Sequence, residues 1–371
     1  MKILILSPFP PPTDGIANHS RNIATELRAQ GHEVHILSPG RGPGTPDVTR
    51  GLTWRVRRRD IELLKWSDAV FCQFAISALR AGVTGANGLM ARARQMNKPV
   101  LVAIHEPGRE PHLLGRLSWH LYHRALLSAS SAIVYSVAAE EILQAASFRP
   151  PTLPILRTIH GVVVEAMPTA EEIQRVGAKY GVDERTALQL GFLHPDKGIE
   201  SLIAAHGDGF SIAVAGTVRE RRGFFRLMGM ADTRYARRLH ALDNELGARV
   251  NWCGFVPGSE MRALVAGAGV IVLPYRSSAQ SGIVAMAQSV GAPIVASAAL
   301  EKQLEGGARI VDSTDPVELR NAILEVLNDQ KLRHELMVGT KNIGEQHGFE
   351  RLVRDLSEFI RIAPPHPPVE N

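Results

Sequence analysis

Cysteine is scarce in this chain. Cys72 and Cys253 are the two among 371 residues, each inside an apolar strand-like run. A disulfide scaffold is therefore excluded, and the pair reads as buried, reduced thiols acting as small hydrophobes in a cytosolic protein. No apolar run reaches the ~18 residues a membrane span needs. The opening run Met1-Lys2-Ile3-Leu4-Ile5-Leu6-Ser7 is cut off by Pro8, too early for a secretory leader. Aromatic residues make up 5% and do not interleave with the basic clusters, so a nucleic-acid groove finds no support. There is no G-x-G-x-x-G fingerprint, Walker loop, D-x-D pair or metal-ligand spacing of Cys and His. Nicotinamide chemistry, P-loop chemistry and a catalytic metal are all without a motif.

What is present is an ample core. Hydrophobic residues are 45% of the chain, and the length suits two domains rather than one. The formal charge of +5 is modest and mixed along the chain. Two arginine clusters stand out, Arg55 with Arg57, Arg58 and Arg59, and Arg219 with Arg221, Arg222 and Arg226. Each is either solvated surface or a site of attraction for phosphates or an acidic membrane.

Strand-like and helix-like runs alternate throughout. In the first half, strands are expected over Lys2–Ser7, His32–Ser38, Asp68–Phe74, Pro99–His105 and Ser131–Ser136. A helix over Ile16–Gln30 is stopped by Gly31. In the second half, strands are expected over Thr186–Phe192, Phe210–Thr217, Arg249–Phe255, Val270–Tyr275, Ala292–Ser297 and Ala308–Asp312, with helices between them. Such alternation predicts βαβ units and parallel sheets covered on both faces. The expected architecture is α/β, with two Rossmann-like doubly wound domains facing a central cleft. The domains are 1–167 and 168–345, followed by a C-terminal helix at 346–362 returning to the first domain and a mobile tail at 363–371.

Four segments carry candidate chemistry. Tyr275-Arg276-Ser277-Ser278-Ala279-Gln280-Ser281-Gly282 runs from a strand into a helix, which aims free backbone N–H groups at any anion beyond the strand end. Ser7 to His19 is a proline-rich loop ending at Gly15, either an ordinary turn or a loop that lets a ligand approach the backbone. His105 closes an apolar strand, where it is either structural or faces the ligand edge. Lys197, in Gly191-Phe192-Leu193-His194-Pro195-Asp196-Lys197-Gly198, is expected in the first turn of a helix. A cation is unfavourable there unless an anion lies nearby; otherwise it is simply an exposed lysine. Arg116–Leu127 is amphipathic, either a helix packed on its sheet or a peripheral membrane contact suited to a lipid-linked acceptor.

Taken in order, these segments resemble the family 4 (group 1) retaining glycosyltransferases of GT-B fold, over nearly the whole chain. The likeness includes Gly31-His32-Glu33-Val34, Gly191–Gly198, Trp252-Cys253-Gly254-Phe255-Val256-Pro257, Leu273–Ser277 and Gly291–Ser297. It implies a cytoplasmic, metal-independent enzyme with no resident cofactor. Such an enzyme transfers a sugar from a UDP- or GDP-sugar held by the C-terminal domain to an acceptor, in envelope polysaccharide or glycoconjugate synthesis. By position, Lys197 would meet the diphosphate, Phe255 and Val256 the nucleobase, and Gln280, Ser281, Gly282 and Ile283 the phosphates through backbone N–H groups. His105 would meet the donor sugar, and Gly15 would abut the diphosphate. The chain departs from the usual pattern where an arginine and two glutamates are expected, with Phe192, Ser278 and Met286. Arg219 or Arg276 would replace the missing cation. The departures fit a branch with a T-Q-S-G-type loop; the alternative is an inactive, glycosyltransferase-like binding or regulatory subunit.

Overall fold

Unbroken runs of Val, Ile, Leu and Ala, rather than alternating ones, make strands that are covered on both faces. The computed structural model describes residues 1–10, 15–40, 42–105, 107–108, 115–218, 226–277, 281–304, 306–312 and 315–363, apart from the side chains of 226–231 and 302. Two compact units result: Met1–Gly161 together with Phe349–Asn371, and Val162–Gly348.

The first unit is built on a seven-stranded parallel sheet. Its strands are β1 (Lys2–Leu6), β2 (Glu33–Pro39), β3 (Val48–Leu52), β4 (Ala69–Phe74), β5 (Val100–Ile104), β6 (Ser131–Val134) and β7 (Ile155–Arg157), in the order 3-2-1-4-5-6-7. The second unit holds β8 (Thr186–Leu190), β9 (Ser211–Ala215), β10 (Asn251–Gly254), β11 (Val270–Leu273), β12 (Ile294–Ser297) and β13 (Arg309–Val311), in the order 10-9-8-11-12-13. In both sheets the strand order reverses beside the first strand of the unit, between β1 and β4 and between β8 and β11. Open α/β sheets bind ligands beyond the carboxyl ends of the strands at that reversal.

Two edge strands, β3 and β7, are additions to the expected set. Val48-Thr49-Arg50-Gly51-Leu52 has Thr, Arg and Gly at its centre, and β7 is three residues long after a proline-rich stretch, so neither carries an apolar signature. The helix Arg116–Leu127 buries Leu121, Tyr122, Ala125 and Leu126 in the core, with Tyr122 edge-on to Phe74 at 4.9 Å. Cys72 is fully buried, which pushes its thiol pKa up, but Cys253 is only half-buried because β10 is an edge strand. Among the described residues no helix is long and apolar enough to cross a membrane.

The helix Phe349–Ile362 belongs to the first unit. Leu352, Val353, Leu356 and Ile360 join Ile3, Ile5 and Leu27 in one cluster, and Asp355 accepts a 2.6 Å hydrogen bond from the Thr158 hydroxyl. Gly161 sits at φ +79°, and a Cβ there would fall 2.8 Å from the Phe349 ring. The chain changes unit between Gly161 and Val162, six residues before the expected 167/168, because the Val162 N–H donates to the His347 carbonyl at 2.7 Å.

Candidate functional site

In the second unit the carboxyl ends of β8 and β11 are drawn together by a glycine. Gly198 has φ +60°, and a Cβ on it would lie 2.0 Å from the Pro274 carbonyl oxygen, so no other residue fits without moving the backbone. The Arg276 N–H donates to the Asp196 carbonyl at 2.9 Å, which fixes the segment carrying Lys197 against the segment carrying Arg276. Lys197 lies in the single 3₁₀ turn Pro195–Lys197, ahead of Gly198 and the helix Ile199–Ala204. It is not in that helix's first turn as expected, because Gly198 in the left-handed conformation separates the two elements. Its ammonium stands 3.6 Å from the centre of the Tyr275 ring, a cation–π contact that offsets part of the cost of a cation near a helix start.

Arg276 is held by Glu200, which also accepts a hydrogen bond from the Tyr235 hydroxyl. The Arg276 side chain remains about half exposed at 51%. Burial, with Glu200 next, pushes the Tyr235 phenol well above its usual range. Beyond β11, Ser281 is buried and bound on three sides. Its N–H donates to the Gln303 amide oxygen at 3.1 Å, its carbonyl accepts from the Gln303 amide nitrogen at 3.1 Å, and its hydroxyl lies 3.1 Å from the Tyr275 hydroxyl. The Ser281 N–H is thus already engaged, which revises the expectation that it is offered to phosphate. Gly282 and Ile283 open the helix Gly282–Val290, and their N–H groups have no partner within it. Among the described residues, a Cβ on Gly282 would meet nothing within 4 Å, and neither would one on Gly15 at the start of Gly15–Ala29.

Phe255 follows β10 and is 60% exposed, whereas Val256 is buried in the core, which revises the expectation that it meets the nucleobase. Phe192, where the family usually has arginine, is exposed, and Met286 packs at the margin of the core. Arg219, Gln280 and Ser278 lie outside the described residues, as do Arg221, Arg222 and residues 364–371 of the tail. In the first arginine cluster, Arg55 stacks on Trp54 at 3.9 Å and Arg59 donates to the Arg50 and Gly51 carbonyls.

The first unit gathers a different set at its strand ends. His105 follows β5, and around it stand Gln73 of β4, Tyr135 after β6, His160 after β7 and His19 of the helix Gly15–Ala29. His19 stacks on His160 at 4.4 Å and meets Tyr135 and His105 edge-on at 5.3 and 5.8 Å. Its Nε2 lies 2.6 Å from the His160 carbonyl oxygen, and its Nδ1 3.3 Å from the Gln73 amide nitrogen. The Gln73 amide oxygen faces the His105 Nε2 and, at 3.4 Å, the Tyr135 hydroxyl. Burial disfavours the imidazolium form of all three rings, taking His105 down to about 3, His160 to about 4 and His19 well below the usual range. The rings also oppose one another's protonation. The result is a neutral, hydrogen-bonded cluster suited to hydroxyl groups rather than anions.

Of this cluster, sequence reasoning singled out His105 alone. The signals for two more were present: Gln73 is a polar residue inside the apolar run Phe71-Cys72-Gln73-Phe74, and His19 shares a helix face with Ile23 and Leu27 at a spacing of four. Tyr135 and His160 join through β6 and β7 and had no such signal.

Two doubly wound parallel-sheet units with these strand orders are the architecture of the GT-B fold. The chain is a glycosyltransferase: residues 184–329 match the family model described as glycosyl transferases group 1, and residues 13–155 match glycosyltransferase family 4. Solved structures of the same fold include Anabaena HepE in complex with UDP, at 18% identity and TM-score 0.73 over 97% of this chain and 100% of that one. Sucrose-phosphate synthase from Thermosynechococcus elongatus also matches, at 18% and 0.73 over 97% and 98%. A glycosyltransferase from Rickettsia africae matches at 14% and 0.72 over 97% of both chains. No curated protein sequence matches the chain.

Proposed function

We propose that the chain transfers a sugar from a UDP-sugar to an acceptor hydroxyl, with retention at the anomeric carbon and without a metal. The observation that carries this is the grouping of Lys197 and Arg276 at the β8/β11 reversal, held there by Gly198 against Pro274. The helix start at Gly282 and Ile283, whose N–H groups have no partner within the helix, follows the same strand. That set suits a diphosphate, whose charge grows as the bond from the anomeric carbon to the phosphate oxygen breaks. As the new bond to the acceptor oxygen forms, the hydroxyl proton leaves with the departing phosphate or with water. Phe255, exposed beside this edge, offers a ring for the base to stack on. In the first unit the neutral cluster around His105 suits sugar hydroxyls, and the backbone at Gly15, which has no side chain, suits close approach of a phosphate oxygen. The UDP complex of HepE supports uracil among the bases. The Gln280-Ser281-Gly282 sequence supports the T-Q-S-G branch.

The test is a thermal-shift titration against UDP-, GDP-, ADP- and dTDP-sugars, with the free nucleotides as controls. A ligand at 100 times its dissociation constant adds about 2.7 kcal/mol. A shift confined to the uridine series is expected. No shift with any nucleotide, from folded protein, would move the assignment to a non-catalytic subunit, the reading favoured by Phe192 and Met286 at the usual arginine and glutamate positions.

A further inference from the structure

The hydrogen bonds around Gln73 determine where the protons sit, and they can be traced from one fixed point. The His160 backbone carbonyl only accepts, so the His19 Nε2 2.6 Å away carries the hydrogen. His19 is neutral in its buried site, so its Nδ1 is bare and must accept from the Gln73 amide nitrogen. That orients the Gln73 amide, and its oxygen then faces both the His105 Nε2 and the Tyr135 hydroxyl. An amide oxygen only accepts, so the His105 Nε2 carries a hydrogen and its Nδ1 bears the lone pair. Gln73 is itself fully buried on β4, and its amide bridges His19 to His105 and Tyr135.

Building on the reading of this chain as a UDP-sugar enzyme, we propose that Gln73 is a positioning residue that fixes His105 in its Nε2–H tautomer, so that His105 accepts through Nδ1 a hydrogen bond from a hydroxyl of the donor sugar. The discrimination follows from chemistry. A carbonyl or ether oxygen placed at Nδ1 would face a lone pair and be rejected, whereas a hydroxyl supplies the missing hydrogen. The other tautomer would invert that preference. Gln73 achieves this without touching the sugar.

Long-range nitrogen–proton NMR of histidine-labelled protein reads the tautomer directly, with His105→Gln used to assign the signal. The free wild-type protein at pH 7 should show His105 protonated at Nε2 and bare at Nδ1. A His105 protonated at Nδ1, or at both nitrogens, overturns the proposal before any ligand is added. Gln73→Leu should give mixed tautomers at His105, and should lower affinity for UDP-glucose relative to UDP roughly three- to tenfold, the value of one hydrogen bond. An unchanged tautomer in Gln73→Leu, or a changed tautomer with an unchanged ratio, would overturn it. If wild-type protein binds neither UDP nor UDP-glucose, the functional reading fails, while the tautomer stands on the free-protein spectrum alone.

Discussion

At the carboxyl edge of the first sheet, His19, His105 and His160 are held neutral by burial; Gln73 joins His19 to His105, and the His160 carbonyl meets His19. At the same edge of the second sheet the side chains that gather are ions: Lys197, Arg276 and Glu200. Topology does not account for the difference, since both sheets reverse beside their first strand. The residues after the strands do. In the first unit the polar groups are buried among rings, where an unpaired charge would be costly, and His19, Gln73, His105 and Tyr135 are hydrogen-bonded to one another or to backbone. In the second, Arg276 keeps half its surface in water, where an ion pair costs and contributes little. One fold thus presents a neutral face suited to hydroxyls and a cationic face suited to phosphate.

Removing one ion from the second edge is the strongest way to break this contrast. Lys197→Ala should weaken UDP binding by roughly ten- to a hundredfold, as expected for a hydrogen bond to a charged group. Calorimetric titration checks it, and an undiminished affinity would leave Lys197 a surface residue stacked on Tyr275. The matching change on the neutral edge, His105→Ala, should leave UDP affinity intact and lower the transfer rate about tenfold. Equal losses in both quantities would erase the division of labour.

Acid sharpens the comparison further. The three histidines bind protons more readily unfolded than folded, so stability is unaffected above about pH 6.5. It falls as pH drops toward the folded values of about 4 for His160 and about 3 for His105. The melting midpoint should decline by several degrees between pH 6.5 and 4.5, and His19→Gln should flatten that slope by removing one titrating ring. A slope identical to wild type would show that these rings do not titrate as a buried set. The smallest effect is expected from Gln303→Ala, which releases both backbone groups of Ser281 at a cost of about 1 kcal/mol and a two- to fivefold loss of UDP affinity. Denaturant unfolding and the same titration measure it.

The central strands were legible because parallel strands covered on both faces advertise themselves as apolar runs, and the glycines that stop helices, such as Gly31, are equally plain. Edge strands β3 and β7 were not, since one open side relaxes the demand for apolar residues. For Lys197 the segment was readable but its conformation was not: placing Gly198 in the left-handed region depends on the Pro274 carbonyl, 76 residues away in the chain. The histidine cluster shows the same limit. His105 carried a positional signal at a strand end, but its partners come from β4, β6, β7 and the first helix, and only the strand order brings them to one place. The hold of Gln303 on Ser281 likewise depends on a side chain 22 residues downstream.

The return of the helix Phe349–Ile362 has a consequence for how the chain is made. Leu352, Val353, Leu356 and Ile360 complete the cluster around Ile3, Ile5 and Leu27, yet the ribosome produces them only after the entire second unit. At about 5–20 residues per second, the first unit spends roughly ten to forty seconds with that apolar face uncovered. The second unit has all its own strands by then and can fold first. The part of the chain that emerges earliest is therefore the part that finishes last.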